Sequence, residues 1–205
     1  MAFGDFKYPD VVTEFQLTET SADLFGGVPP VAPSAAYQAI GPRYAKLAVA
    51  NPNEKAKSEY LIALLLSEVW SRYEGRVTLH SGSEFVADEA AKLTGYCDFL
   101  LGLGPQLTLP KAPLVMVVEA KRDLLTNGYG QCIAGMIGIQ RFNAKAGRPV
   151  PVVYGGVTTG GLWQLMKLED RRLAFDTNEF GVNPPDRLLG ALVAMIESLL
   201  AVPTT

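Results

Sequence analysis

The chain has 205 residues, of which 48% are hydrophobic, and this is enough for one domain with a sizeable core. Its net charge of −3 excludes a strongly basic protein that coats nucleic acid without specificity, although a local basic patch can coexist with an acidic remainder. The single histidine, His80, excludes a His-rich zinc site and leaves carboxylates and lysine as the groups for any catalysis.

Three features indicate the cellular environment. Two cysteines, Cys97 and Cys132, are too few for a disulfide framework, and this favours a reduced, cytoplasmic environment. No apolar run reaches the roughly 18 residues that a membrane-spanning helix needs, so we expect no membrane partner. The first residues, MAFGDFKYPD, lack the basic and apolar regions that are typical of a secretory signal.

The N-terminal quarter, residues 1–50, is predicted to be an arm and a helix laid over the domain. VVTEFQL predicts a strand, and FGGVPPVAPS predicts a loop. A helix is predicted over 35–50, with an interruption near Gly41 and Pro42. The next helix comes from NPNEKAKSEYLIALLLSEVW, where capping and turn residues precede a stretch that is apolar nearly all round. We expect this second helix to lie deep against other structure.

Three strands and a helix are predicted next. GRVTLHSGSEFVAD predicts one strand, or two with a bend at Gly82, and GYCDFLLGL predicts another. The continuous apolar run of APLVMVVEAK predicts a central strand that is covered on both faces. NGYGQCIAGMIGIQRFNAKAG predicts a helix rich in small residues, which ends at Gly147.

The last segments complete the predicted fold. PVPVVYGGVTTGGLWQLMKLE predicts two strands or a hairpin, RRLAFDTNEF a further strand, and PPDRLLGALVAMIESLLAV an amphipathic helix. We find no internal repeat and no linker long enough to divide two domains. The order predicts an α/β fold, a single domain in which a mixed central β-sheet is flanked by α-helices. Its core spans 51–168, and the strand and helix of 169–205 pack on the same domain.

Two charged residues end the predicted central strand. Glu119 and Lys121 are two positions apart and therefore share a face. Charges at the end of a buried strand need partners, so a salt-bridged strand end is the structural interpretation. A second acid, Asp98, lies in another predicted strand whose other residues are mainly apolar. Its presence favours a functional interpretation of Glu119 and Lys121. If the strands pair, Asp98 and Glu119 converge on a point that suits Mg²⁺, and Lys121 can orient or help deprotonate an attacking water, or stabilise negative charge on a phosphate.

A third acid, Glu59, begins the deeply apolar helix. The residues three, four and seven positions later, Ile62, Ala63 and Leu66, predict that Glu59 lies on a buried face. The alternative is an acid that the macrodipole at the helix N-terminus satisfies. Glu68 is expected on the opposite, solvated side of this helix.

These residues together resemble the PD-(D/E)XK nuclease superfamily, which has the restriction-endonuclease-like fold. The resemblance rests on Glu59 in a leading helix, Asp98 in a strand, the sequence VEAK in the next strand and Gln131 in the following helix. The common core of the superfamily is a helix, three strands, a helix and a further strand, and this order matches residues 54–168. In one departure, Cys97 stands where the nominal motif has a proline before its aspartate.

The resemblance implies a hydrolase, a magnesium-dependent endonuclease or exonuclease acting on phosphodiester bonds. Asp98 and Glu119 would ligate Mg²⁺, with Mn²⁺ able to substitute, and Lys121 would act on the attacking water. Glu59 would supply a supporting acid, and Gln131 would lie beside the site. The expected partner is nucleic acid, and DNA is favoured over RNA. A homodimer is compatible with this fold and with the apolar final helix.

Two other functions stay open. A nuclease-fold protein that binds partners or acts as a scaffold without catalysis is favoured by the acidic balance and by the absence of an obvious basic stripe. A small-molecule enzyme with a carboxylate–lysine site would instead have a closed apolar pocket.

Overall fold

A computed structural model describes residues 2–201. The helices within this range are α1 (Asp10–Glu14), α2 (Ala35–Ala50), α3 (Glu54–Lys57), α4 (Ala63–Arg72), α5 (Thr126–Lys145) and α6 (Asp186–Leu200). The strands are β1 (Thr18–Ala22), β2 (Val77–Asp88), β3 (Leu93–Leu103), β4 (Leu114–Ala120), β5 (Val153–Thr158), β6 (Leu162–Glu169) and β7 (Arg172–Gly181). A π-helical turn, Ser58–Ile62, joins α3 directly to α4.

The seven strands form one mixed sheet in the order β1-β7-β6-β5-β4-β3-β2. Strands β2, β3 and β4 are an antiparallel meander, and α5 then returns the chain so that β5 pairs parallel to β4. Strands β5, β6 and β7 are antiparallel, and β1 adds in parallel to β7 at the edge. The expected α/β fold, a single domain with a mixed sheet flanked by helices, is confirmed.

Strand β4 occupies the centre of the sheet, and all seven of its residues are buried. Its apolar side chains face both layers, as the uninterrupted apolar sequence predicts. One hydrophobic cluster lies between the sheet and helices α4 and α6, and a second lies between the sheet and α5. Small residues bring α5 close to the strands, since a Cβ atom at Gly135 would lie 3.2 Å from Val117. The predicted small-residue helix therefore packs as its composition indicates.

The first residues of the described chain pack on α5, and their local structure differs from the predicted strand. Residues 11–17 form no strand within the described chain. Instead α1 directs Val11 into the cluster beneath α5, and pairing with β7 begins only at Thr18. Burial of Val11 on one side of a helical turn outweighs the β-propensity of the sequence.

Two further local expectations are decided by the structure. Helix α2 continues through Pro42 without interruption, because Gln38 and Pro42 are both exposed and water can hydrate the carbonyl that loses its backbone partner. Strand β2 is one continuous strand, and Gly82 adopts a positive φ of 59° within it. No helix within residues 2–201 has the length and apolar character needed to cross a bilayer.

Candidate active site

The end of β4 places a carboxylate in the interior. Glu119 has no exposed surface, and neither carboxylate oxygen accepts a hydrogen bond from a donor within residues 2–201. Removing a carboxylate from water without a donor is costly, so an unpartnered acid at this position requires a physical explanation. Strand β4 holds Glu119 rigidly, because the strand pairs with β3 on one side and with β5 on the other.

The neighbouring strand brings a second acid to the same place. The antiparallel register pairs Phe99 with Val118, so Asp98, the residue before Phe99 in β3, lies across from Glu119, the residue after Val118 in β4. Asp98 Oδ2 accepts a hydrogen bond of 2.8 Å from the backbone N–H of Ala120. This bond fixes the acid against the end of β4. The structure thus brings together Asp98 and Glu119, the two acids that were predicted to converge if their strands pair.

The charge of Asp98 affects the ionisation of Glu119. Burial raises the pKa of Glu119 well above its ordinary value, and the charge of Asp98 raises it further, while the Lys121 ammonium lowers it. A hydrogen bond between the side chains of protonated Glu119 and Asp98 also raises this pKa. Glu119 therefore keeps its proton at pH values where an exposed glutamate is ionised. A cation placed between the acids would reverse this preference by stabilising both carboxylates.

Lys121 completes the group from the residue just after β4. Its ammonium lies 3.9 Å from Glu119 Oε2 and donates a hydrogen bond of 2.9 Å to the Gln131 side-chain carbonyl. The aliphatic part of Lys121 packs on Gly128, where a Cβ atom would lie 3.0 Å from Lys121 Cγ. The contacts with Gln131 and Gly128 both come from α5. Asp98, Glu119, Lys121 and Gln131 are thus the predicted residues that the structure brings together.

Glu59 is not buried with this group, and the prediction of a buried face was wrong. Its side chain is half exposed and forms an ion pair of 3.1 Å with Lys55. The prediction assumed 3.6 residues per turn from Glu59 onward, but residues 58–62 form a π-helical turn that changes the phase of the helix. Ile62 and Leu66 are buried as expected, while Glu59 faces solvent.

Glu68 is likewise not solvated as expected, and only 6% of its surface is exposed. Its two oxygens accept hydrogen bonds from the backbone N–H and hydroxyl of Ser34, at 2.9 and 2.7 Å, and from Arg72 at 2.8 Å. Glu68 thereby attaches the start of α2 to α4. Its burial has a structural reason that depends on a residue 34 positions earlier in the chain.

A further acid, Glu54, lies near the site and was not among the predicted residues. Glu54 begins α3, and its charge contributes to the raised pKa of Glu119. The position of α3 is fixed by Lys57, whose ammonium donates a hydrogen bond of 2.7 Å to the carbonyl of Arg122. The residue in the sequence that could have indicated Glu54 is Asn53, a helix-capping residue type. Its side chain caps α3 by accepting a hydrogen bond from the backbone N–H of Ala56. This cap shows that the helix, and its first acid, begin five residues before Glu59.

The residues present fit a hard cation that uses few protein ligands. No group of three or more His, Cys, Asp or Glu side chains within residues 2–201 could hold a metal ion. The two unpartnered oxygens of Glu119, with Asp98 beside them, nevertheless form an oxygen-rich point, and Mg²⁺ commonly binds one or two carboxylates and keeps several waters. Asp98 and Glu119 are the residues that would hold it.

Comparison with known proteins adds no family assignment. No protein-family model matches this sequence, and no curated protein matches it.

Proposed function

We propose that the chain is a metal-dependent nuclease of the PD-(D/E)XK type, which hydrolyses phosphodiester bonds of DNA with Mg²⁺ or Mn²⁺. The observation that carries the proposal is Glu119, a fully buried carboxylate whose oxygens accept no hydrogen bond from a donor among the described residues. Asp98 lies across the strand pair from it, and the Lys121 ammonium is 3.9 Å away. Two acids and one fixed cation on a rigid strand end match what phosphodiester hydrolysis requires.

The arrangement of the elements supports the same proposal. Helix α4 leads into the meander of β2, β3 and β4, and α5 then connects to β5, which is parallel to β4. This is the order of a helix, three strands, a helix and a further strand that the resemblance implies for residues 54–168. The candidate residues occupy β3, the end of β4 and α5.

The chemistry can be divided between the cation and the protein. Bound at Asp98 and Glu119, Mg²⁺ would supply Lewis-acid stabilisation of negative charge on the phosphodiester. Lys121, as an ammonium, donates hydrogen bonds and accepts none, so it holds an attacking water or a phosphate oxygen in place. Gln131 orients Lys121 for this task. Strand β4 keeps the reacting groups at fixed positions, which lowers the entropic cost of reaching the transition state.

The role of supporting acid moves from Glu59 to Glu54 in this proposal. The resemblance implied Glu59 for this role, but Glu59 is exposed and paired with Lys55. We assign the role to Glu54, because its charge acts on Glu119 and it lies in the same helical segment. A carboxylate there can bind a water of the hydrated cation without being a direct ligand.

The two cysteines fit the proposed cytoplasmic location. Cys97 and Cys132 are buried free thiols, and burial raises the pKa of each well above its ordinary value. Such thiols are poor nucleophiles and serve as small apolar side chains. They have no evident part in the proposed reaction.

Purified protein incubated with plasmid and with single-stranded DNA, in Mg²⁺ or Mn²⁺, tests the proposal. We expect cleavage by the wild type, and a loss of at least about 100-fold in Lys121→Ala and in Asp98→Ala. Lys111→Ala is the matched control, because it removes an exposed lysine near the opposite end of β4. Cleavage that survives Lys121→Ala or Asp98→Ala would show that the roles are wrongly assigned.

A second candidate is a nuclease-fold protein that binds partners without catalysis. The observations that favour it are the exposed position of Glu59 and the lack of a third metal-binding side chain in the described chain. It predicts no binding of Mg²⁺ or Mn²⁺ in a calorimetric titration. Metal binding that Glu119→Gln abolishes would favour the nuclease.

A further inference from the structure

A cavity of about 220 Å³ lies at the end of the sheet opposite to the candidate active site. Its walls come from β2, from the end of β3 with the loop that follows it, and from the segment after α5. They consist of Thr78, Leu103, Gly104, Pro105, Leu107, Leu109, Lys111, Ala112 and Arg148. Strand β4 begins at Leu114, two residues after this lining, and ends at Ala120 beside Glu119. Its seven residues span about 20 Å, which separates the cavity from the acids.

Two cations line this cavity, and no acid does. Lys111 has no hydrogen bond or ion pair with any residue between 2 and 201. Arg148 donates one hydrogen bond of 2.9 Å to the carbonyl of Ala112, so the other N–H groups of its guanidinium stay available. Residues 99–118 and 124–168, which contain the two cations, include no Asp or Glu. The cavity is therefore complementary to an anion.

A buried hydroxyl lies in the wall of the same cavity. Thr78 is only 6% exposed, and its hydroxyl has no hydrogen-bond partner among the described residues. The hydroxyl lies against Gly102, where a Cβ atom would be 2.8 Å from Thr78 Oγ1. A buried hydroxyl without a partner lowers the stability of the fold, so its presence needs a reason. Donation of a hydrogen bond to an oxyanion in the cavity would supply one.

Apolar side chains stand beside the cations. Leu107 and Leu109 are 41% and 69% exposed, and both line the cavity together with Pro105. They offer apolar surface that a ligand can cover. The volume corresponds to about seven water molecules, at about 30 Å³ each. These features favour a small ligand that carries both an anionic group and an apolar group.

We propose that this cavity binds a small phosphate monoester, with its phosphate on Lys111, Arg148 and the Thr78 hydroxyl and its apolar substituent on Leu107 and Leu109. A phosphate monoester carries a charge of about −1.5 to −2 near neutral pH and has three acceptor oxygens. Two cations and a hydroxyl match that charge and that number of oxygens. The guanidinium also suits phosphate because its N–H groups can bind two oxygens at once. The site is separate from the proposed nuclease site and does not depend on it.

Calorimetric titration near neutral pH, in a chloride buffer, tests the proposal with inorganic phosphate and with butyl phosphate. We expect saturable binding of both, and at least about 5-fold tighter binding of butyl phosphate because its chain covers apolar surface. Lys111→Ala and Thr78→Val should each weaken the binding of both probes at least about 10-fold. Leu109→Ser should weaken the binding of butyl phosphate and leave inorganic phosphate unchanged.

The thermal midpoint separates ligand binding by Thr78 from a structural role. Thr78→Val keeps the shape of the side chain and removes a buried group that has no partner, so without phosphate it should unfold at the same temperature as wild type or higher. Wild type should gain thermal stability when phosphate is added, and Thr78→Val should gain less. A Thr78→Val protein that is less stable without phosphate but binds it normally would overturn the role of the hydroxyl.

Lys46→Ala is the matched control, because it removes an exposed lysine from α2 and should bind both probes as wild type does. Three results would overturn the proposal. These are the absence of phosphate binding, an equal loss in Lys46→Ala and Lys111→Ala, and equal affinities for the two probes. Lys111 is exposed and has no partner among the described residues, so its removal should leave the fold intact, which circular dichroism checks.

Two further measurements define the source of the phosphate and the independence of the site. Phosphatidic acid is a phosphate monoester held in a membrane, so vesicles of phosphatidylcholine with phosphatidic acid form the second arm. Sedimentation with these vesicles, without saturable binding of butyl phosphate, would assign the leucines to a membrane surface and overturn a small ligand. Lys111→Ala should lose phosphate binding but cleave DNA normally, since about 20 Å of strand separates it from Glu119. Impaired cleavage would contradict the separation of the two sites.

Discussion

Lys121 donates a hydrogen bond of 2.9 Å to the side-chain carbonyl of Gln131, so helix α5 determines where the only cation within 4 Å of Glu119, among the described residues, is held. Lys121 directly follows β4, and α5 supplies Gln131. The position of this ammonium thus depends on how closely the helix packs on the sheet. A side chain on one element can in this way control chemistry on another.

Gln131→Leu is expected to lower the rate of DNA cleavage by about 10-fold while the protein stays folded. Leucine keeps the size of the side chain but cannot accept the hydrogen bond, so Lys121 loses its fixed direction. Cleavage rates with saturating DNA measure the effect. Asn127→Ala, an exposed polar residue on the same helix, is the control and should cleave normally. A Gln131→Leu enzyme as fast as wild type would contradict the positioning role.

Gly128→Ala is expected to displace Lys121 and to destabilise the protein. A Cβ atom there would lie 2.5 Å from Val157 Cγ1 and 3.0 Å from Lys121 Cγ, and Val157 belongs to a rigid buried strand. Such overpacking costs about 1–3 kcal/mol, although the better helix propensity of alanine offsets up to about 1 kcal/mol of it. Chemical denaturation and cleavage rates measure the two effects. Gly161→Ala, which meets no atom within 4 Å, should behave as wild type.

The effect of Glu119 on stability should depend on pH and on metal. Burial and the charge of Asp98 raise the pKa of Glu119, so between the unfolded and folded pKa values the folded state binds more protons than the unfolded state. In EDTA the free energy of unfolding of the wild type should therefore fall as pH rises above about 5. Glu119→Gln removes this loss and should be about 1–3 kcal/mol more stable at neutral pH.

Metal should narrow that difference in stability. Mg²⁺ or Mn²⁺ at ten times its dissociation constant should stabilise the wild type by about 1.4 kcal/mol and leave Glu119→Gln unchanged. The affinity should increase with pH, because a bound cation needs the ionised carboxylate. Thermal unfolding with and without metal, at several pH values, measures both effects. An equal shift in wild type and Glu119→Gln would place the cation elsewhere.

Many residues of the candidate site could be predicted from the sequence, because a charged residue is easily recognised within the apolar run of a buried strand. A lone acid in an apolar strand, as at Asp98, and charges that end another, as at Glu119 and Lys121, identify positions where burial needs a reason. Gln131 came from the resemblance alone. The contacts that orient these groups, such as the N–H of Ala120 on Asp98, depend on strand register and could not be predicted from any single segment.

The errors lie where periodicity changes or where partners are distant. A π-helical turn shifts the face of every later residue, and no composition signal distinguishes it from an α-helical turn, so Glu59 was assigned to the wrong side. The carboxylate of Glu68 accepts hydrogen bonds from Ser34, and the sequence pattern cannot predict the position of the loop that contains Ser34. The α/β class and the order of helices and strands along the chain were predictable because they depend on many residues at once.

Glu68→Gln is expected to destabilise the protein by about 1–2 kcal/mol at neutral pH. Burial alone would raise the pKa of Glu68, but hydrogen bonds from Ser34 and then from Arg72 outweigh it, and the pKa lies below its ordinary value of 4.5. A lowered pKa means that the ionised carboxylate stabilises the fold above pH 4.5 and that this contribution is lost as pH falls through the folded pKa.

The difference in free energy of unfolding between wild type and Glu68→Gln should accordingly be constant near neutral pH and shrink in acid. Urea denaturation at several pH values measures it. Glu74→Gln changes an exposed acid just after the same helix and should have little effect at any pH. A difference that stays the same from neutral to strongly acidic pH would mean that Glu68 stabilises the start of α2 through its shape and not through its charge.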